Sequence, residues 1–421
     1  MRTVDQHAAE IDRLVRPALA ALGEEPLAVD AERVATAGSR ALGRRLVRAV
    51  TAPVDLPPFA NSQMDGYAVR SADVGDGASL VVAARVPAGT APAPLVPGTA
   101  APVMTGAPVP EGADAVVPIE RVDPPEFWPD TAGVPGAPEV RVTVPGPLAP
   151  GTYVRPAGSD AHRGDLLVAA GARTTPARLG VLAAAGLTTV DVVRRPRVLL
   201  VSTGEELTAP GEPLAPGRIH DANGAALAGA LAGVGVDVVT ARVRDDATRL
   251  LRLLAAHAPD VDLVVTTGGV SAGAYEVVRE ALAPLGVAFG PVAVQPGGPQ
   301  GWGVLALPGV PARPVVCLPG NPVSCVVSFE AFLRPVLQDA TGVGAPRRRA
   351  TATMAESADS PVGKHQLRRG TLDVDGRVHL VGGPGSHLLT ALAEATVLVH
   401  LPVGVDRVDE GDEVVVWGLD D

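Results

Sequence analysis

Residues 195–211 read RPRVLLVSTGEELTAPG, an apolar run that halts at a Ser-Thr-Gly turn followed by two acids. The run has the length and composition of a strand, and the residues beyond it decide the fold class. A helical stretch, GAALAGALAGVG (224–235), leads into VDVVTARV (236–243), then DATRLLRLLAAHA (246–258) and DLVVTTGG (262–269). The alternation continues through EVVREALAPLG (276–286), VAFGPVAV (287–294), PVVCLPG (314–320) and PVSCVVSFEAFLRPVL (322–337). Strand and helix in turn predict a βαβ series over residues 191–340, hence a mostly parallel sheet covered by helices.

The texture changes on either side of this segment. Residues 1–50 read as helical, with periodic apolar positions in AEIDRLVRPALAAL (9–22) and AERVATAGSRALGRRLVRAV (31–50). From 51 to 147 the chain breaks into short β-like runs such as SLVVAARV (79–86), GADAVVPIE (112–120) and EVRVTV (139–144), separated by Pro and Gly. Residues 148–190 return to a loop and a helix, TPARLGVLAAAG (175–186). The expected organisation is α/β and multidomain. An N-terminal helical and linker domain (1–50 plus 148–190) holds an inserted all-β domain (51–147). A central α/β domain (191–340) comes next, and GAPRRRA (344–350) links it to a small C-terminal β-barrel-like domain (347–421).

Composition narrows the function classes. At 421 residues the chain has room for about three domains. The net charge of −11 and the absence of a basic block argue against nucleic acid as a partner. No uncharged apolar run is long enough for a membrane span, and MRTVDQHAAEIDRLVRPALAALG (1–23) lacks a signal peptide's apolar core, so a cytoplasmic protein is expected. Cys317 and Cys325 have no clip spacing and read as small buried apolar residues in a reducing compartment. Lys364 is the single lysine among 35 basic residues, which leaves cationic work to arginine.

Three glycine turns follow predicted strands: Ser202-Thr203-Gly204, Thr267-Gly268-Gly269 with Ser271, and Pro319-Gly320-Asn321-Pro322. Glycine lets backbone amides approach a ligand, and loops at the carboxyl ends of parallel strands line one crevice. Three such turns suggest a phosphate-bearing ligand; ordinary tight βα turns are the alternative. Acids stand beside them: Glu205, Glu206, Asp221, Asp245, Asp246 and Glu276. Carboxylates beside phosphates repel unless a divalent cation intervenes, so one or two acids and phosphate oxygens around Mg²⁺ are expected. Asp246 reads as a helix cap, and Asp221-Ala-Asn223 as either a cap or a site element. No His/Cys cluster has transition-metal spacing, and no Ser-His-Asp arrangement or G-x-S-x-G elbow is present; His220 reads as a loop residue. In ANSQMDGYAVRSAD (60–73), Asp65-Gly66 reads as a turn feeding a strand, with turn geometry alone as the plain explanation for the acid.

Eight ordered stretches carry a resemblance: PPFANSQMDGYAVR (57–70), VMTGAPVPEGADAVVPIE (103–120), VRPAGSDAHRGD (154–165), LLVSTGEELTAPG (199–211), VRDDA (243–247), VVTTGGVSAGAYEVV (264–278), QPGGPQGWG (295–303) and CLPGNPVS (317–324). Together they resemble the molybdopterin molybdenumtransferase family of the bacterial MoeA type, related to the C-terminal domain of gephyrin. The resemblance implies insertion of molybdate into adenylylated molybdopterin, giving molybdenum cofactor and AMP with Mg²⁺ nearby. The pterin's own dithiolene sulfurs would grip the molybdenum, so no metal-binding cysteine is needed. It implies a homodimer with a cross-subunit site, in which Asp65 is presented to the partner's pterin and Met64 and Tyr67 anchor its loop. It also implies dealings with a molybdopterin-adenylating enzyme and with molybdoenzymes. Asp65, Asp160, Glu206, Asp245 and Glu276 match the family's acidic positions, with Asp65, Glu206 and Asp245 toward the metal. Thr105 and Ser271 match donors to oxyanions, and Gln295 lies in the pterin-binding set with the glycine turns.

Two departures stand out. Glu276 replaces the family's frequent Asp, and Gln295 and Gly298 occupy the lysine positions of the commoner K-P-G-K-P. A charged hydrogen bond is worth roughly 1.5–3 kcal/mol, so losing two without replacement weakens anion binding by about two to four decades. Arg218, Arg244 and the cluster Lys364, Arg368 and Arg369 are the candidates for compensation, a solvated surface being the alternative for that cluster. The missing lysines also admit a weakened paralogue that binds pterin as a carrier or scaffold. A nucleotide hydrolase on the same phosphate scaffold is a third option, against which the β-module motifs argue.

Overall fold

The computed structural model describes residues 1–419 apart from 129–138, 272, 274 and 275, so part of the SAGAYE stretch lies outside the described residues. Its centre is a six-stranded sheet in the order Asp237–Val243, Arg197–Thr203, Leu263–Thr267, Arg313–Leu318, Pro299–Leu305, Ala288–Pro291. The first four strands are parallel; Pro299–Leu305 runs antiparallel to both its neighbours, so Ala288–Pro291 again has the direction of the first four. Alternation along each parallel strand separates two cores. Val198, Leu200, Leu263, Val265, Val316 and Leu318 face one side, and Leu199, Val201, Val264, Val315 and Cys317 the other. Helices Ala222–Gly233 and Pro322–Ser328 close the first side, and Ala247–His257 and Val277–Leu282 the second.

The first helix, Val4–Ala20, begins at a Thr3/Gln6 capping box and buries His7, Ile11, Val15 and Leu19, one stripe at a spacing of four. That stripe packs into the sheet body's own core rather than against the rest of the N-terminal segment. Residues 31–50 are not the continuous helix their periodicity suggests. The helix Ala31–Ala37 gives way to a 3₁₀ turn at Gly38 (φ +55°), and Gly43 (φ +71°) breaks the chain again. Leu46 then enters a core with Leu27, Val168, Leu179, Leu182 and Val192. Strands Glu24–Ala28 and Thr189–Val193 pair across this unit, as do Val50–Thr51 and Leu166–Val168, so its two chain segments are interleaved.

Between those segments lies a five-stranded sheet in the order Ala115–Pro118, Gly66–Val69, Thr99–Val103, Ala78–Val82, Arg141–Val144. At the other end of the chain, His365–Leu372, Arg377–Leu380, Arg349–Met354, Glu413–Gly418 and Val397–Leu401 pair in a closed ring, a small barrel. Two details tie the barrel to the sheet body. Val294–Gln295 adds a short parallel strand to the barrel beside His365–Gln366. Arg347, inside the predicted linker, grips buried Glu330 with Nε at 2.9 Å and Nη2 at 3.0 Å, so GAPRRRA is a docking element as well as a connection.

Candidate functional site

The carboxyl ends of Arg197–Thr203, Leu263–Thr267 and Arg313–Leu318 open into one cleft of about 620 Å³. Its walls include Thr203, Gly204, Glu206, Asp245, Thr267, Gly268, Gly269, Ser271, Glu276, Pro319, Gly320, Asn321 and Pro322. Close packing of the turns accounts for one glycine directly: at Gly268 (φ +93°) a Cβ would stand 2.5 Å from the Thr203 carbonyl oxygen.

Beneath the turns runs a hydrogen-bond network that motif reading left unresolved. Asn223, at the start of the helix Ala222–Gly233, donates from Nδ2 to Thr267 Oγ1 (3.0 Å) and to the Gly320 carbonyl (2.7 Å). Thr267 Oγ1 in turn donates to the Pro319 carbonyl at 3.1 Å and accepts from the Cys325 thiol at 3.3 Å. The Asn223 side chain thus staples two turns together, and its buried Oδ1 has no protein partner among the described residues. Asp221 is the cap, accepting from the Gly224 amide at 2.8 Å, while Asn223 belongs to the site floor. Cys317 and Cys325 are free and buried, and burial pushes both thiols up to about 12. Ser324, His220 and His387 also line the cleft; Ser324 closes the CLPGNPVS stretch but was not singled out there, and His387 lies in none of the motifs.

The acids divide by location. Asp245 Oδ2 accepts from the Glu205 amide at 3.2 Å, and Asp246 caps the next helix through the Arg249 amide, so the two neighbours have separate tasks. Glu206 folds over Gly204, its oxygens 2.6 and 2.7 Å from where a Cβ there would stand, and has no ion-pair partner among the described residues. Glu276 turns back on its own loop and accepts from the Ser271 amide at 3.0 Å, so that amide is already engaged. Among the described residues no three His, Cys, Asp or Glu side chains converge as a metal cage. Glu206 and Asp245 nevertheless offer two hard oxygen donors at a glycine turn, a donor set that fits Mg²⁺ completed by phosphate oxygens and water.

Several sequence-predicted residues stand outside the cleft. Ser202 is buried in its strand and lines a separate recess with Asp221 and Arg242. Asp65, Thr105 and Asp160 are absent from the cleft walls of their own chain. Asp65 Oδ1 accepts from the Thr105 amide (2.6 Å) and hydroxyl (2.8 Å), which holds the carboxyl below its ordinary range and commits both Thr105 donors. Tyr67 is fully buried in the β module and donates its hydroxyl to the Glu126 carbonyl; Met64 is fixed through its backbone by Ser62. The Asp160 loop runs beside this strap, through pairing of Asn61–Ser62 with Val154–Arg155 and a bridge from Leu56 to Ala161.

Next to the cleft, Gln295, Gly298, Lys364 and Ser386 line a recess that shares Pro299, Asn321 and Ser324 with it. Arg218 and Arg244 line a different recess behind Gly204, each 3.7–3.8 Å from the Glu205 carboxylate, and Arg218 also donates to the Glu205 carbonyl. Arg368 and Arg369 are buried in the barrel and turned to the carbonyls of Gly382 and Gly383. The basic cluster therefore splits, and only its lysine borders the site.

Comparison with known proteins matches the whole length. Residues 2–186 match the MoeA N-terminal region (domains I and II), 199–339 a probable molybdopterin binding domain, and 351–419 the MoeA C-terminal region (domain IV). Two proteins of Mycobacterium tuberculosis are similar: molybdopterin molybdenumtransferase 2, at 42% identity over 100% of both chains, and molybdopterin molybdenumtransferase 1, at 35% over 99% of this chain and 98% of that one. The crystal structure of a molybdopterin biosynthesis MoeA protein from Pyrococcus horikosii superposes with a TM-score of 0.74 at 30% identity, covering 97% of this chain and 98% of that one. With cleft, barrel and inserted β module all accounted for by these matches, the chain belongs to the molybdopterin molybdenumtransferase (MoeA) family and is a transferase of that family.

Proposed function

We propose that the chain transfers molybdenum from molybdate to adenylylated molybdopterin, releasing AMP and molybdenum cofactor. The observation that carries this reading is the single cleft in which three glycine-bearing turns meet Glu206, Asp245 and Glu276. Gly320 would offer its backbone amide to the pterin's phosphates, while Gly268, whose amide is engaged with the Leu318 carbonyl at 3.2 Å, would serve only to let them approach the turn. Glu206 and Asp245 would hold Mg²⁺, which when bound supplies neutralisation of charge on the phosphoanhydride. The chain's own part is positioning: Asn223 fixes the floor, and Glu276 holds the Ser271 amide. No residue is required as a covalent nucleophile.

Asp65 acts in this reading from a second copy of the chain, since its carboxylate is fixed as an anion on a module outside its own cleft. Mixing separately inactive Asp65→Asn and Glu206→Gln proteins tests the arrangement. Subunit exchange restores molybdate-dependent AMP release in about a quarter of the sites if the acids meet across a two-fold interface. No recovery in a mixture shown to exchange would place both acids in one protomer's site.

Loss of the two lysines motivates the second reading, a carrier that binds pterin without turnover. Lys364 beside Gln295 and Gly298 favours the enzyme, because it returns a cation to that recess. Wild-type chain assayed with adenylylated pterin, with and without molybdate and Mg²⁺, separates the two: AMP release that needs molybdate supports the transferase, and binding without release supports the carrier.

A further inference from the structure

At the seam between the interleaved N-terminal unit and the sheet body, Arg44, Arg45, Arg194 and Arg195 line one small cavity of about 20 Å³. No carboxylate lines it among the described residues. Following each guanidinium to its partner shows where charge is left over. Arg44, 7% exposed, is paired with Glu25 and donates to the Val193 carbonyl at 2.7 Å. Arg194 makes a two-pronged pair with Asp262 at 2.7 and 2.6 Å. Arg195 has no such partner. It is 8% exposed, its Nη2 reaches only the Arg40 carbonyl at 3.2 Å, and its buried Nε has nothing to donate to. The acids that act on it are already engaged, Asp237 by Arg40 and Glu25 by Arg44. Arg45 also has no ion pair among the described residues.

A buried guanidinium without a counter-charge is strongly destabilising, and here it is surrounded by like charges. The cavity's size limits what can relieve it, since a single water needs roughly 10–15 Å³ measured this way. The walls come from both units: Arg44, Arg45 and Val193 on one side, Leu22, Gly235, Thr341 and Val343 on the other. Gly235 (φ +77°) lets Val343 pack close at this point, because a Cβ there would stand 2.7 Å from Val343 Cγ2.

We propose that this cavity binds one small inorganic anion of about chloride size, held between Arg195, Arg44 and Arg45, which fastens the N-terminal unit to the sheet body. The test uses the full chain at constant ionic strength in gluconate, chloride or bromide. Chloride and bromide are expected to raise the unfolding midpoint saturably by roughly 2–4 °C over gluconate. Bromide-soaked crystals are expected to show an anomalous peak between Arg44, Arg45 and Arg195. Arg195→Gln should fold with a midpoint indifferent to the anion. Should that variant not fold, Arg45→Gln at the exposed edge keeps the proposal measurable, with half-saturating chloride raised about tenfold. Equal midpoints in chloride and gluconate with no bromide in the cavity, or a chloride shift that persists unchanged in Arg195→Gln, overturns the proposal.

Discussion

Lys364 shows how a single side chain can alter the reading of a motif. The two usual lysine positions are Gln295 and Gly298, and Gln295 Oε1 already accepts from Gln366 Nε2 at 2.9 Å, so the amide NH₂ is what Gln295 offers a ligand. Lys364 borders the same recess and brings a full charge. If it substitutes for the missing pair, Lys364→Ala raises the KM for molybdate about 10- to 100-fold. Lys364→Arg keeps most of the activity, and pterin affinity changes less; steady-state AMP release at varied molybdate checks this. The lysine was visible in the sequence as an isolated cation, but its position was not. That depends on Val294–Gln295 pairing with a barrel strand distant in the chain, and such pairing leaves no local pattern. Arg368 and Arg369, further along that barrel strand, are buried on its two opposite faces instead and turn to the Gly382 and Gly383 carbonyls.

Elements were legible where local pattern and burial agree. Three of the four parallel strands, Arg197–Thr203, Leu263–Thr267 and Arg313–Leu318, are largely apolar runs leading into glycine turns, and the sheet has those turns at one end. The failures have equally local causes: positive-φ glycines inside an apparently helical stretch at 31–50, and an arginine in a supposed linker that proves to be half of a buried ion pair. The strand Gly66–Val69 carries a third lesson. Gly66 is needed for room rather than for turning, because a Cβ would stand 1.9 Å from the Val117 carbonyl oxygen in the neighbouring strand. Gly66→Ala is therefore expected to destabilise the β module by about 3 kcal/mol, read as a lower urea midpoint for its transition. It also displaces Asp65, so activity falls further than folding alone explains.

Across the whole molecule, folding depends on pH through groups buried in their neutral form. His7 is fully buried between Trp302 and Phe332, with both ring nitrogens unpartnered, and burial followed by the charge of Arg2 lowers its pKa from 6.5 to about 4. His400, in the barrel against Trp417, is pushed down to about 3 by burial and then by His365. Each ring takes a proton more readily in the unfolded chain. Stability is therefore full above about pH 6.5 and falls as the pH drops, the His7 part being lost by about 4 and the His400 part by about 3. The His7 share is up to about 3 kcal/mol. His7→Phe is expected to flatten the fall in a series of urea melts between those limits. The interlock of barrel and sheet body bears on any attempt to trim this protein. A chain cut ahead of Arg347 would shed its sole amine-bearing side chain, the strand mate of Gln295 and the clamp on Glu330 in one stroke. What survived would be a trough open at one end, not a smaller copy of the intact receptacle.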